Sequence, residues 1–264
     1  MMIYFSVIKL SMKSILSNKS SVFILLLQSL VPISIMFYLW SSILNGDETL
    51  GGFSRNQLIL YYVGVNFINF FVWYAIDWEL NSDIHSGELS NILHKPISIQ
   101  KYYFFRMVGD RMANLFILSP LILMGGIYII IISKSKISII LVFQFLISLF
   151  LATVLWFLFS YIVGSLAFWF ENLFFVLLVK EVLVSLLAGY YFPISILPDF
   201  WQSILQWLPF QYFSSFPINV LIKGMTGKTW LMNTLLELTW IVGFGVTLSF
   251  VSRKGLQKYS DVAG

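Results

Sequence analysis

The 264-residue chain is 59% hydrophobic and 18% aromatic but only 11% charged, with a mean hydropathy of +0.87. Soluble domains carry about 25% charged residues, so a water-soluble globular fold is excluded, and the length allows about six spans of roughly 20 residues with their connections. The net charge of +4 comes with no basic run interleaved with exposed aromatics, which excludes a nucleic-acid groove, and the lack of cysteine excludes disulfides and thiolate metal sites.

The first 16 residues have no compact apolar core followed by a small-residue cleavage site, so the first span is expected to act as the targeting signal. Over residues 2–20, Ile3, Tyr4, Val7, Ile8, Met12, Ile15 and Leu16 recur with helical spacing, and Ser6, Lys9, Lys13 and Ser17 take the opposite phase. An amphipathic helix of this kind is expected to lie in the membrane interface, with its lysines towards anionic headgroups. Span 1, residues 22–44, contains Pro32, which should kink it without ending it. Residues 45–52 read as a plain loop. In span 2, residues 56–76, Asn66 and Asn69 share a face and are expected to bond a neighbouring helix.

Residues 77–111 gather nine of the 28 charged side chains and read as a solvated platform between spans. Inside it, residues 86–96 have the signals of a short helix: Ser86 as N-cap, Glu88 in the first turn and Pro96 as a stop. Span 3, residues 113–132, includes Pro120 and the pair Gly125 and Gly126. A connector at 133–136 leads into span 4, residues 137–166, which exceeds the length needed to cross and must tilt or emerge.

Span 5 lies within residues 173–192. Pro193, Pro198, Pro209 and Pro217 then interrupt the chain, and the pieces over 193–229 are too short for ordinary spans. They are expected to be interfacial or re-entrant helices held at the headgroup level by Trp201, Trp207, Phe210 and Tyr212. Span 6 covers residues 230–251. With the N-terminus in the cytosol, ten basic residues fall inside (Lys9, Lys13, Lys19, Lys95, Lys101, Arg106, Arg111, Arg253, Lys254, Lys258) against five outside (Arg55, Lys134, Lys136, Lys223, Lys228). Both termini and the platform are therefore expected in the cytosol and the Pro-rich region outside.

Catalytic patterns are missing: the sequence has neither a His-Glu-x-x-His nor a Gly-x-Ser-x-Gly motif. His85 and His94, nine residues apart, read as solvated surface histidines and no metal site is expected. Residues 224–229, Gly-Met-Thr-Gly-Lys-Thr, end like a phosphate-binding loop, but Ile222 stands where such a loop needs glycine. The chain thus has no recognisable nucleotide site, and any ATPase driving it is a separate polypeptide. Lys180 and Glu181 lie inside the apolar run of span 5, and adjacent helical residues diverge by about 100°, so they are poor partners for each other. Either Lys180 pairs with another helix or subunit, or the two groups line a translocation path. Glu237 in span 6 poses the same choice.

Three features in order resemble the membrane subunits of type-2 ATP-binding-cassette exporters, closest to the small six-span subfamily. They are the basic amphipathic helix at 2–20, the run from Gly87-Glu88-Leu89 through Leu93-His94-Lys95-Pro96-Ile97-Ser98, and Gly189-Tyr190-Tyr191-Phe192-Pro193-Ile194-Ser195-Ile196-Leu197-Pro198 followed by Leu208-Pro209-Phe210. The resemblance implies an all-α integral membrane protein, a single permease domain over residues 1–264. It would have six transmembrane helices, an N-terminal interfacial helix carrying Lys9 and Lys13, a cytosolic coupling helix within 77–111, and short exofacial helices over 193–229.

It further implies that Glu88, Leu89, Ile92, Leu93 and His94 dock into an ATPase, with Leu89, Ile92 and Leu93 buried against it. Two cytosolic ATPase copies would hold ATP and Mg. A second permease, identical or paralogous, would pair through spans 1 and 5 in a bacterial plasma membrane, and the cargo would be a lipid, an amphipathic peptide or a hydrophobic drug. Two other readings are an ion- or proton-coupled carrier with Lys180 and Glu181 as relay, and a membrane-embedded lipid-modifying enzyme using Lys180, Glu181 or Glu237 as acid or base.

Overall fold

The computed structural model describes residues 2–44, 49–133 and 138–263, with the side chains of 2, 121–133 and 260–263 left aside. The tip of the first loop, 45–48, and the connector lysines Lys134 and Lys136 lie outside the described residues. Helix α1 (Met2–Ser17) gives way to α2 (Lys19–Ile43) at Asn18, whose side-chain oxygen accepts from the Ser20 and Ser21 N–H groups. That cap ends the first helix three residues earlier than the sequence pattern predicts, because it satisfies donors at the start of the next. Pro32 lies inside α2 without ending it, and only Leu25, Ser29 and Trp40 of this helix are buried.

The expected plain loop contains a small hairpin: β1 (Thr49–Leu50) pairs antiparallel with β2 (Phe53–Ser54), Thr49 opposite Ser54 and Leu50 opposite Phe53. Its turn uses Gly51 and Gly52 at φ of 58° and 78°, conformations that glycine adopts without a Cβ penalty. Ser54 then starts α3 (Arg55–Val72) through a reciprocal capping box with Gln57. The expected second span does not run unbroken into the charged segment. It stops at Trp73, and α4 (Ile76–His85) begins after Ala75; Arg111 Nη1 donates to the Phe70 and Trp73 carbonyls at 2.5 and 3.3 Å, taking up acceptors freed by the break.

After α5 (Glu88–Leu93) comes α6 (Ile99–Ser133), with Pro120 inside it. Helix α7 (Ile139–Ser165) is the central post on which α3, α4, α10 (Ser215–Ile222) and α11 (Gly227–Ala263) pack. Its buried stripe includes Ser148, Ala152, Ser160 and Gly164, small residues that let neighbouring backbones approach. A Cβ on Gly164 would lie 2.7 Å from the Asp77 Cα. Two cores result. One, around Tyr61, Tyr62, Trp156, Phe213 and Phe216, joins α3, α7 and α10; the other, around Ile76, Leu80, Leu89, Tyr103 and Tyr161, joins α4, α5, α6 and α7.

Among the described residues, four helical stretches are long and apolar enough to cross a membrane: Lys19–Ile43, Arg55–His85, Ile139–Phe168 and Gly227–Tyr259. The protein is thus a nearly all-helical membrane protein. Helix α8 (Phe174–Leu187) has 14 residues, about 21 Å at 1.5 Å per residue against a hydrocarbon core of about 30 Å. It lies within the stretch expected for span 5, residues 173–192. It stops before Gly189, which adopts φ 78° and whose carbonyl accepts from the Tyr61 hydroxyl at 2.7 Å.

Candidate functional site

The end of the molecule that carries α5 concentrates its buried charge. Lys180 on α8 is only 7% exposed; its Nζ donates to Asp77 Oδ2 at 2.6 Å and to Glu181 Oε1 at 2.8 Å, and sits 4.9 Å from the Trp156 ring centroid. Asp77 is fully buried in the first turn of α4, where free N–H groups and the helix dipole favour an acid. Trp156 is itself anchored, its Nε1 donating to the Tyr74 carbonyl at 2.9 Å.

Two sequence expectations change here. Asp77 and Asp83 belong to no solvated platform, since both are buried, and Glu181 does partner its neighbour Lys180. The flexible four-carbon stem lets Nζ bend across the 100° between adjacent positions. Sequence reasoning missed Asp77 as the counter-ion; the available signal was an acid at the very end of an apolar run, in a chain with a buried lysine.

The α4 and α5 helices form a hairpin turned at Gly87, whose φ of 79° needs glycine. Gly87, not Ser86, is the N-cap of α5; the Ser86 hydroxyl still accepts the Glu88 N–H at 3.4 Å. Leu89 and Ile92, one turn apart, bury into the second core, so they are occupied within the chain and do not wait for a partner. A six-residue helix lying on α4 must bury one i, i+3 pair, and that pair is the apolar one. Glu88, Asn91, Leu93 and His94 remain exposed.

Cross-links hold the hairpin to its surroundings. The Ser90 and Tyr259 hydroxyls lie 3.0 Å apart, tying α5 to α11. On α6, Tyr103 donates to Asp83 at 2.5 Å, and Arg106 pairs with Glu79 at 3.4 Å and Asp83 at 3.9 Å. Burial works against the charge of Arg106, but Glu79, Tyr74, Tyr102 and Asp83 together hold its pKa above the ordinary arginine value. Burial and then Asp83 push the Tyr103 phenol up, which keeps it a donor. His85 Nδ1 meets the Asn81 carbonyl at 2.8 Å, and His94 follows the last turn of α5.

Helix α1 (Met2–Ser17) lies along α6. Tyr4 meets Phe105 at 4.8 Å between ring centroids, and a Cβ on Gly109 would lie 2.5 Å from the Ile8 carbonyl oxygen, so part of the face packs on α6 while Ile3 stays exposed. The Ser11 hydroxyl donates to the Arg106 carbonyl at 3.1 Å and contacts Asp110. Lys9 and Lys13 stay exposed.

At the opposite end, a turn at Ile194–Ile196, helix α9 (Asp199–Leu205) and a turn at Pro209–Phe213 precede α10. Pro198 precedes the first residue of α9, while Pro193 and Pro209 are buried. The Tyr62 hydroxyl donates to the Tyr191 carbonyl at 2.5 Å, Ser195 to Gly51 at 2.9 Å, and Trp240 Nε1 to the Trp207 carbonyl at 3.0 Å. Trp201 and Trp207 are exposed as a headgroup position requires, whereas Tyr212 is fully buried, because the Pro209 turn directs it into the first core. Asn69 bonds Tyr190 in the loop after α8, and Asn66 donates back to the Tyr62 carbonyl of its own helix, so neither is shown bonding a neighbouring helix.

Glu237 on α11 is fully buried and neither carboxylate oxygen has a hydrogen-bond partner among the described residues; Tyr212 lies within its electrostatic reach. Residues 224–229 follow α10, a helix, where a phosphate-binding loop would follow a strand.

No curated protein matches the sequence significantly. The family model described as ABC-2 family transporter protein matches residues 30–262, from within α2 to the last turn of α11. With nearly its whole length matched, the chain belongs to the ABC-2 transporter family of membrane proteins.

Proposed function

We propose that this chain is the permease subunit of an exporter that moves a hydrophobic or amphipathic substrate out of the cytosol, driven by ATP and Mg held on a separate ATPase. In this reading α2, α3 with α4, α6, α7, α8 and α11 are the six spans, with α8 as a short fifth completed by the helices after it. The surface of Glu88, Leu93 and His94 docks into the ATPase, Leu89 and Ile92 serving as its support from within, and α9 and α10 cap the exit on the far side.

The observation that carries this reading is the hairpin's attachment. Asp77 ties α4 to α8, Tyr103 and Arg106 tie it to α6, and Ser90 ties α5 to α11. A push on the exposed surface of α5 therefore reaches three spans at once, the shear-like input that alternating access needs. The apolar faces of α2 (Phe23, Leu27, Val31) and α8 (Phe175, Val179, Val182) are exposed, and a second permease subunit is the partner proposed for them.

The test is purification of the tagged chain from its own membranes, with mass determination of the intact complex and ATP hydrolysis measured on it. Two permeases with two ATPase subunits, and hydrolysis lost in Leu93→Asp, are the expected result. A chain that purifies without an ATPase and transports after ATP depletion sinks the proposal. That outcome would favour the coupled carrier, the second reading, which the unpartnered carboxylate of Glu237 supports.

A further inference from the structure

The chain just after α9 and the first turns of α11 enclose a crevice of about 260 Å³. Gln206 and Trp207 wall it on one side, and Lys228, Thr229, Met232 and Leu236 line it on the other. Lys228, Met232 and Leu236 are spaced i, i+4 and i+8, so they share one stripe of α11, with Leu236 about 12 Å along the axis from Lys228. Lys228 stands in the first turn of the span Gly227–Tyr259, at the edge of the bilayer, and the stripe runs from it towards the hydrocarbon.

The wall is held in place. The Trp207 carbonyl accepts from Trp240 Nε1 at 3.0 Å, and the Gln206 carbonyl accepts from Gln211 Nε2 at 2.6 Å. The amides at the crevice are spent locally: Gln206 Nε2 donates to the Ser203 carbonyl at 3.1 Å, and Asn233 Nδ2 to the Thr229 carbonyl at 2.9 Å. That leaves the Lys228 ammonium and the Thr229 hydroxyl, both exposed, and Lys228 has no acidic partner among the described residues.

The rims of the crevice point to its occupant. Phe200, Ile204 and Trp207 form an exposed apolar stripe on and just past α9, and Leu231, Met232 and Leu235 are exposed on α11. The crevice therefore opens onto acyl chains. A soluble anion would pair with Lys228 but leave Trp207 and Met232 uncovered, and an uncharged chain would leave the ammonium without a counter-ion. Among the described residues no acid lines the crevice, so a zwitterionic headgroup would bring a positive charge with no carboxylate to meet it.

We propose that this crevice binds one anionic phospholipid, its phosphate on Lys228 and Thr229 and the start of an acyl chain over Met232 and Leu236, beside Trp207. The remainder of the lipid lies on the exposed apolar rims. The inference rests on the membrane reading of the chain and not on its ATPase, because every group in the site belongs to the permease.

The experiment uses the full chain in detergent, with phosphatidylglycerol binding followed by native mass spectrometry and by thermal stabilisation. Phosphatidylcholine and inorganic phosphate are the comparison probes. One basic group near a membrane surface contributes about a factor of five, so K228Q should bind phosphatidylglycerol about fivefold more weakly and K228R as the parent does. W207A, which leaves the charge unchanged, should bind about threefold more weakly. K223Q removes the same charge from an exposed position at the end of α10, outside the crevice, and should change binding less than about twofold.

Equal losses in K228Q and K223Q, with W207A binding as the parent does, would mean diffuse attraction and overturn the site. So would phosphatidylcholine binding as tightly as phosphatidylglycerol, or inorganic phosphate alone stabilising the chain as well as the lipid does.

Discussion

Lys180 and Asp77 stand 103 positions apart in the chain yet approach to 2.6 Å, in a volume closed by Trp156 and by the contact of Gly164 with the Asp77 backbone. The pair joins α4, which supports the exposed tip of α5, to the short helix α8. Removing the Lys180 charge leaves Asp77 buried without its counter-ion, and removing the Asp77 charge leaves Lys180 with Glu181 alone.

Asp77→Asn and Lys180→Met are each expected to destabilise the protein by about 3–5 kcal/mol, because breaking a buried pair costs more than the pair contributes. Glu181 still faces Lys180 in the first variant, which places that loss towards the lower end. The double variant Asp77→Asn with Lys180→Met should recover at least about 1 kcal/mol of the summed loss. Unfolding in detergent, followed by the monodisperse fraction against denaturant, checks the cycle; additive losses would show that the two groups do not stabilise each other.

The two faces of α5 should separate stability from coupling. Leu89→Ala empties a fully buried position and is expected to cost about 2–5 kcal/mol. Leu93 is 43% exposed, so Leu93→Asp should change stability by no more than about 0.5 kcal/mol while substrate-stimulated ATP hydrolysis falls. Melting curves and hydrolysis on the same preparations give the comparison. A Leu93→Asp chain that folds and hydrolyses normally removes this surface from the proposed docking site.

Gly109 should control the seat of α1. Its Cβ would fall 2.5 Å from the Ile8 carbonyl oxygen and 3.0 Å from the Ile8 Cα, both of them backbone atoms that no rotamer change can move. Gly109→Val is expected to lift α1 from α6, and limited proteolysis should then cut within residues 2–17 at least about tenfold faster. Protection equal to the parent would mean that the helices accommodate the methyl groups.

Glu237→Gln should leave stability unchanged or raise it. The carboxylate is fully buried with both oxygens unpartnered among the described residues, and an isolated buried charge costs several kcal/mol. The amide keeps the shape without the charge. A rise of up to about 3 kcal/mol at pH 8, read from denaturant unfolding, is the expected range, and a clear drop would reveal a partner for the carboxylate in the assembled protein.

Amino-acid order alone determined the class of this protein and much of its layout. Apolar runs long enough to cross a bilayer can hardly fold otherwise, since every backbone group in lipid must be satisfied within a helix. The short helix at residues 88–93 was legible from Ser86, Glu88 and Pro96, although the cap proved to be Gly87; the interruption after residue 192 because Pro193, Pro198 and Pro209 cannot continue a helix, and Lys180 because an ammonium in an apolar run must find a partner. Only the tertiary structure decided which acid that partner is: Asp77 reaches Lys180 because Gly164 lets α4 lie against α7, a choice no local pattern encodes. It also decided that Leu89 and Ile92 face inward and Leu93 outward, and that part of the apolar face of α1 packs on α6. Where several faces of a helix are equally apolar, periodicity carries little orientation, and packing against distant segments sets which face is buried.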